Sequence, residues 1–266
     1  MKRDLIVDGR RIEAAWHGPP PERAPTLVLL HEGLGCVAMW RDFPAVLAAR
    51  TGYGVLTYSR FGYGLSGPVL LPRPLTYMHD EAFEVLPAVL DQAGVRKALL
   101  VGHSDGASIA TIYAGGRQDF RVRGLVLLAP LFFVEDISVR SIADAKLAYE
   151  RGDLRARLER YHAHNVDNAF WGWNGAWLDP AFRAWRIDDA VAHVRVPMLI
   201  IQGRDDQYGS AAQLTLAEAD AYCPVETLLL DGCGHAPQLD QPALTLAAIA
   251  DFCRRVMLHE GLAPAA

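Results

Sequence analysis

The sequence predicts an α/β fold: a mostly parallel central sheet covered by helices, with a helical cap inserted after the sixth strand. Three observations predict it. Apolar runs of strand length recur at 26–30, 98–101, 124–129 and 196–202, and each is apolar continuously rather than alternately. Such runs suit strands buried on both faces. Segments with helical spacing and glycine stops separate the first of them, as in repeated βαβ units. That rhythm breaks between about 134 and 195, where only helical patterns occur, and then resumes.

Taken in order, 5–7 and 11–16 read as two short strands around the Asp8-Gly9 turn. A proline-rich loop at 18–21 leads to the strand at 26–30. Residues 39–50 show helical spacing of Trp40, Phe43, Val46 and Leu47, closed by Gly52 and Gly54. A strand at 54–59, a glycine-punctuated loop at 60–67 and a helix at 77–93 follow. The insert carries helical patterns at 141–151, 154–164, 166–177 and 180–191. Beyond it lie a strand at 196–202, a helix at 211–222, a strand at 225–230 and a terminal helix at 242–258. The expected organisation is a core of 1–133 and 196–266 with a cap of 134–195.

Composition narrows the function. The 266 residues are 51% hydrophobic and 21% charged, enough for one large core and a small insert. A net charge of −5 without a clustered basic face argues against a nucleic-acid partner. No apolar stretch approaches the ~20 residues a bilayer demands, so no membrane partner is expected. Met1-Lys2-Arg3-Asp4-Leu5 carries an acid and no long apolar run, so no signal peptide is expected. Cys36, Cys223, Cys233 and Cys253 include no Cys-x-x-Cys pair. Free thiols in a reducing compartment fit that pattern, and a cytoplasmic protein is expected.

The stretch Gly102-His103-Ser104-Asp105-Gly106 stands between an apolar strand and a small-residue helix. A serine at such an apex is either a nucleophile exposed on a strained turn or a helix cap. A nucleophilic serine needs a base. Of nine histidines, His235 follows a buried strand directly, in Gly232-Cys233-Gly234-His235, and so shares the carboxyl end of the sheet with Ser104. His103 is too close to Ser104 to serve it as base. His162 and His164 read as cap packing or a solvated face rather than a metal site. Asp205 and Asp206, after the strand at 196–202, are the acid candidates, and Asp231 and Asp240 have turn and helix roles instead. The turn offers the Asp105 N–H to an oxyanion, and His31-Glu32-Gly33-Leu34-Gly35 is placed to offer a second.

With these landmarks in this order, the chain resembles the α/β-hydrolase superfamily over nearly its whole length. His31–Gly35 stands in the place of the His-Gly-x-x-Gly oxyanion loop, and Arg60-Phe61-Gly62-Tyr63-Gly64-Leu65-Ser66 in that of Arg-Gly-x-Gly-x-Ser. Glu32 and Phe61 replace a glycine in each. The resemblance implies Ser104 as nucleophile, His235 as base and Asp206 as acid, with Asp205 as fallback. It implies Gly33 and Asp105 as oxyanion donors, with Leu34 one residue off.

The implied activity is cleavage of a carboxylic ester or thioester of a small, largely apolar molecule, with no metal or organic cofactor. Alternatives are a C–C bond hydrolase of meta-cleavage-product type, an aminoacyl ester hydrolase or aminopeptidase, and a non-catalytic ligand-binding member. The aminoacyl reading needs the Asp105 carboxylate in the pocket. Phe132, Phe133, Trp171 and Trp173 are the expected substrate-lining aromatics. Arg151, Arg155, Arg157 and Arg160 read as a solvated helix face.

Overall fold

A computed structural model describes residues 2–259 of the chain. Its centre is a sheet of β1 (Lys2–Val7), β2 (Arg10–His17), β3 (Thr26–Leu30), β4 (Gly54–Tyr58), β5 (Ala98–His103), β6 (Val122–Leu128), β7 (Met198–Gly203) and β8 (Val225–Leu230). The strands lie in the order β1-β2-β4-β3-β5-β6-β7-β8. β2 runs antiparallel to β1 and β4, and every pair from β4 to β8 is parallel. Asp8 and Gly9, with φ of 49° and 71°, turn the β1–β2 hairpin.

The helices are α1 (Phe43–Thr51), α2 (Tyr77–Asp80), α3 (Leu86–Gln92), α4 (Asp105–Arg117), α5 (Asp136–Arg151), α6 (Leu154–His162), α7 (Val166–Trp177), α8 (Asp188–His193), α9 (Ala212–Asp220), α10 (Pro237–Asp240) and α11 (Pro242–His259). Alternation along the buried strands divides the core into two layers. Leu27, Leu29, Leu99 and Val101 pack with α1 and α11 residues such as Leu47 and Phe252. Val28, Leu30, Ala98 and Leu100 face the other way, toward Leu86, Ile109 and Tyr113.

The order places β3 beside β5. The chain leaves β3 toward β4 on one side and leaves β5 toward β6 on the other. Loops leaving two such strands diverge and open a crevice at their carboxyl ends, where sites of open α/β sheets gather.

Several elements differ from expectation. Arg41, with φ of 52°, splits the first expected helix into a 3₁₀ turn (Val37–Trp40) and α1. Pro44 then occupies the first turn of α1, where its missing N–H costs nothing. The helix expected at 77–93 contains a π turn, Glu81–Val85, just before Pro87. Proline cannot donate to the ladder, so the repeat widens there. The insert contains α5, α6 and α7, a short 3₁₀ turn (Pro180–Ala184) and α8. α8 packs on the core helix α4, and a Cβ on Gly115 would collide with the Ala190 carbonyl. The last expected cap helix is therefore interrupted, and its end is part of the layer that covers the sheet.

Candidate active site

Ser104 stands between β5 and α4 with φ 53° and ψ −119°. L-residues are strained in that half of φ space, so surrounding structure must impose it. The Ser104 N–H donates to Leu128 O at 2.9 Å, and its carbonyl accepts from Ala107 N at 2.8 Å. Both flanking glycines are required. A Cβ on Gly106 would strike the Leu30 carbonyl, and one on Gly102 would lie 2.5 Å from the Ala107 Cα. The Ser104 side chain makes no capping bond to α4, so its hydroxyl is not spent on the helix.

Asp206 and His235 come from the loops after β7 and β8. His235 Nδ1 lies 2.9 and 2.8 Å from the two Asp206 carboxylate oxygens. A carboxylate only accepts, so Nδ1 carries the proton and Nε2 is left as the acceptor. The carboxylate also accepts from Tyr208 N at 2.7 Å, Gly209 N at 3.3 Å and Gln202 Nε2 at 2.6 Å. Burial disfavours its charge, but His235 and these donors outweigh burial, and its pKa lies below the ordinary aspartate value. Asp205 is exposed. Asp231 pairs with Arg204 at 2.6 Å, and Asp240 accepts from Gly234 N at 2.9 Å.

Ser104 and His235 line one cavity of about 110 Å³. Glu32, Gly33 and Leu34 form one wall, and Leu131, Ile142, Trp173, Trp177 and Tyr208 the rest. Gly33 lines this cavity, and Asp105 opens the first turn of α4, where amides lack intrahelical acceptors. A Cβ on Gly33 would strike the Trp173 indole, so α7 presses directly on this loop. His162, fully buried at the end of α6, fixes the same loop: its Nδ1 accepts from Gly64 N and its Nε2 donates to Leu34 O, both at 2.9 Å. It packs α6 against the core loops, and among the described residues no cluster of ligands completes a metal site.

Of the four expected lining aromatics, only Trp173 lines the cavity. Phe132 is fully buried beneath it, its N–H bonded to Gln213 at 2.7 Å. Phe133 bridges to Arg186, and Trp171 packs edge-on to Phe170 and Tyr149. These three correct the expectation: aromatic spacing marks a buried face but not which partner buries it. Trp177, Tyr208 and Ile142 take their place. Tyr208, two residues from Asp206 with its ring 4.7 Å from His235, was the most legible of those missed.

The Asp105 carboxylate does not face the cavity. It is fully buried, accepting from Tyr77 OH at 2.6 Å and Trp177 Nε1 at 3.2 Å, with Arg60 3.7 Å away. His103, dismissed as a base, donates from Nε2 to the His235 carbonyl at 2.6 Å and faces Glu32 with Nδ1 at 3.4 Å. Arg155 pairs with Asp167 and Arg157 with Asp153 on the outer face of the insert.

Comparison with known proteins agrees with this architecture. The model of the Alpha/beta hydrolase family matches residues 27–248. Epoxide hydrolase B of Mycobacterium tuberculosis is 34% identical over 127 residues, 47% of this chain and 34% of that enzyme, so the chain spans about a third of that relative's length. A putative carbamate hydrolase, RutD, of Azorhizobium caulinodans is 26% identical over 271 residues, covering 88% of this chain and 93% of its own. The enol-lactonase of Burkholderia xenovorans LB400 has a similar fold, with a TM-score of 0.74 at 18% identity over 94% of this chain and 99% of that one. From its elbow, its strand order and this match over most of its length, the chain belongs to the alpha/beta hydrolase family.

Proposed function

We propose that the protein is a serine hydrolase that cleaves a carboxylic ester or thioester of a small apolar acyl group. The observation that carries this reading is the strained Ser104, set in one small, largely apolar cavity with a His235 whose Nδ1 is bound to Asp206. Asp206 fixes the tautomer of His235 and stabilises its charged form. Nε2 takes the Ser104 proton as Oγ attacks the substrate carbonyl. The Gly33 and Asp105 N–H groups hold the resulting oxyanion. His235 returns the proton to the leaving alcohol or thiol, and the acyl group stays on Ser104. Water then attacks the acyl-enzyme, giving its proton to His235, and the acid leaves as Ser104 is reprotonated.

The cavity limits the acyl group. At about 110 Å³ it falls below the ~300–1,000 Å³ of sites for drug-sized ligands. Ile142, Trp173 and Trp177 leave room for a few carbons. The relatives named above carry names of hydrolases, which supports hydrolysis without fixing the bond. The aminoacyl reading loses its carboxylate, because Asp105 is enclosed by Tyr77, Trp177 and Arg60. Burial pushes the Cys36 and Cys253 thiols up to about 12, which supports reading both as inert; a cytoplasmic location stays part of this proposal and rests on the cysteine pattern of the sequence. Among the described residues no helix is long and apolar enough to cross a membrane.

The test is hydrolysis of p-nitrophenyl esters from acetate to octanoate by wild type and Ser104→Ala. Wild type should prefer the short acyl chains, and the variant should lose at least about 10³-fold in kcat. Full activity in the variant overturns the reading, and faster turnover of a vinylogous diketone than of any ester favours C–C cleavage instead.

A further inference from the structure

His103 immediately precedes Ser104, is 3% exposed, and touches the loops that carry His235 and Gly33. Its Nε2 faces the His235 carbonyl, which only accepts, so Nε2 carries a proton. Its Nδ1 faces the Glu32 carboxylate, which also only accepts, and so calls for a second proton. The Gln238 amide nitrogen lies 3.1 Å from the same Nδ1, while Gln238 Oε1 is buried without a partner. The two ends of an amide are assigned from their neighbours. Turning this one places Oε1 where it accepts the Nδ1 proton.

Both ring nitrogens then donate. Burial pushes the His103 imidazole down, but the bond and charge of Glu32, the His235 carbonyl and Asp206 more than offset it. Burial raises the Glu32 carboxyl, and its bond to His103 outweighs that, holding it at about 2. The neighbouring rings are Trp40 at 6.4 Å and His235 at 5.2 Å.

We propose that Glu32 and His103 form an ion pair that positions the base and the oxyanion loop together. The imidazolium holds the His235 backbone to the elbow, and the carboxylate ties the residue before Gly33 to the same point. The glycine of the family pattern at position 32 has no carboxylate to offer, so the pair depends on this substitution. Glu32 and His103 are positioning residues here, and the proposal rests on Ser104 and His235 being nucleophile and base.

The experiment follows the ¹⁵N resonances of the His103 ring against pH in the wild type and in Glu32→Gln, an isosteric change. It adds kinetics on p-nitrophenyl acetate. In the wild type both His103 nitrogens should show the protonated pattern beyond pH 7, and in Glu32→Gln the ring should titrate at lower pH. The variant should lose about 10- to 100-fold in kcat with KM changed less than about threefold, the cost of a base slightly misplaced. Glu32→Asp should recover part of that loss. A neutral His103 in the wild type at pH 7 overturns the proposal. So does wild-type kcat in Glu32→Gln, or a loss confined to KM. Labelling of Ser104 by a fluorophosphonate tests the nucleophile separately: its failure strikes the serine reading, while the nitrogen shifts still decide the ion pair.

Discussion

Trp177 of the cap donates its indole N–H to the carboxylate of Asp105, the residue after Ser104, at 3.2 Å. The same carboxylate accepts from Tyr77 OH, and Arg60 stands 3.7 Å away. All four side chains are buried. One wall of the cavity is thus hung on the helix that follows Ser104.

Asp105→Ala should therefore be costly to stability. It strands the Tyr77 hydroxyl proton and takes the nearby charge from the buried Arg60 guanidinium, while Trp177 keeps only Tyr77 OH at 3.0 Å; such a loss typically costs about 3 kcal/mol, or roughly 8 °C in Tm for a chain of this size. Thermal unfolding followed by circular dichroism measures it. A melting temperature within about 2 °C of wild type would show that the network contributes little.

The two adjacent aspartates should separate cleanly. Asp206→Asn removes the acceptor that fixes the His235 tautomer, and kcat on p-nitrophenyl acetate should fall by about 10⁴-fold. Asp205→Asn changes an exposed side chain and should stay within about twofold of wild type. Equal losses in both would contradict the assignment of the acid.

Acid should loosen the contact between α6 and the loops that carry Leu34 and Gly64. Burial holds the His162 pKa below the ordinary histidine value of 6.5, and its Nδ1 is needed as an acceptor for Gly64 N–H. The unfolded chain takes up the proton first, so stability is full above about pH 6.5 and is lost as pH falls toward the lowered folded value. His31, lowered by burial and by Arg60, acts in the same direction, whereas raised His103 contributes below its folded value and is lost as pH rises. His162→Asn offers an acceptor that does not titrate. Urea midpoints at pH 7 and pH 5 should fall less on acidification in this variant than in wild type, and an unchanged difference would remove His162 from the account.

Gly33 and Trp173 should be energetically coupled. Gly33→Ala drives a methyl into the indole, and displacing one oxyanion donor costs about 10²–10³-fold in kcat. Trp173→Leu in the same chain makes room and should restore at least tenfold of that loss. Losses that simply multiply in the double variant would place the damage elsewhere.

Much of this architecture is local in origin. β3, β5 and β6 were legible because each is a short, continuous apolar run, and such a run has few ways to be buried except inside a parallel sheet. The elbow was legible because two glycines are needed where backbones meet, whichever helix and strand surround them. The interruptions at Arg41 and at the π turn were not, because a helical period survives a single misplaced residue. Which of the expected aromatics reach the cavity was also hidden. Phe132, Trp171 and Trp173 are alike in type, and only packing against Gln213, Tyr149 and Gly33 sorts them.

By itself, then, the sequence determined the order of strands and helices, the strained serine turn, and the two loops from which an acid and a base can come, since all of these follow from residue types close together in the chain. The residues alone left Asp205 and Asp206 both open, the family resemblance favoured Asp206, and tertiary structure buries the Asp206 carboxylate against His235 while leaving Asp205 exposed. It alone turned Asp105 away from the cavity and brought His103 to a carbonyl 132 residues away. Charge and hydrogen-bond direction depend on what lies across space, and chain spacing carries no record of that.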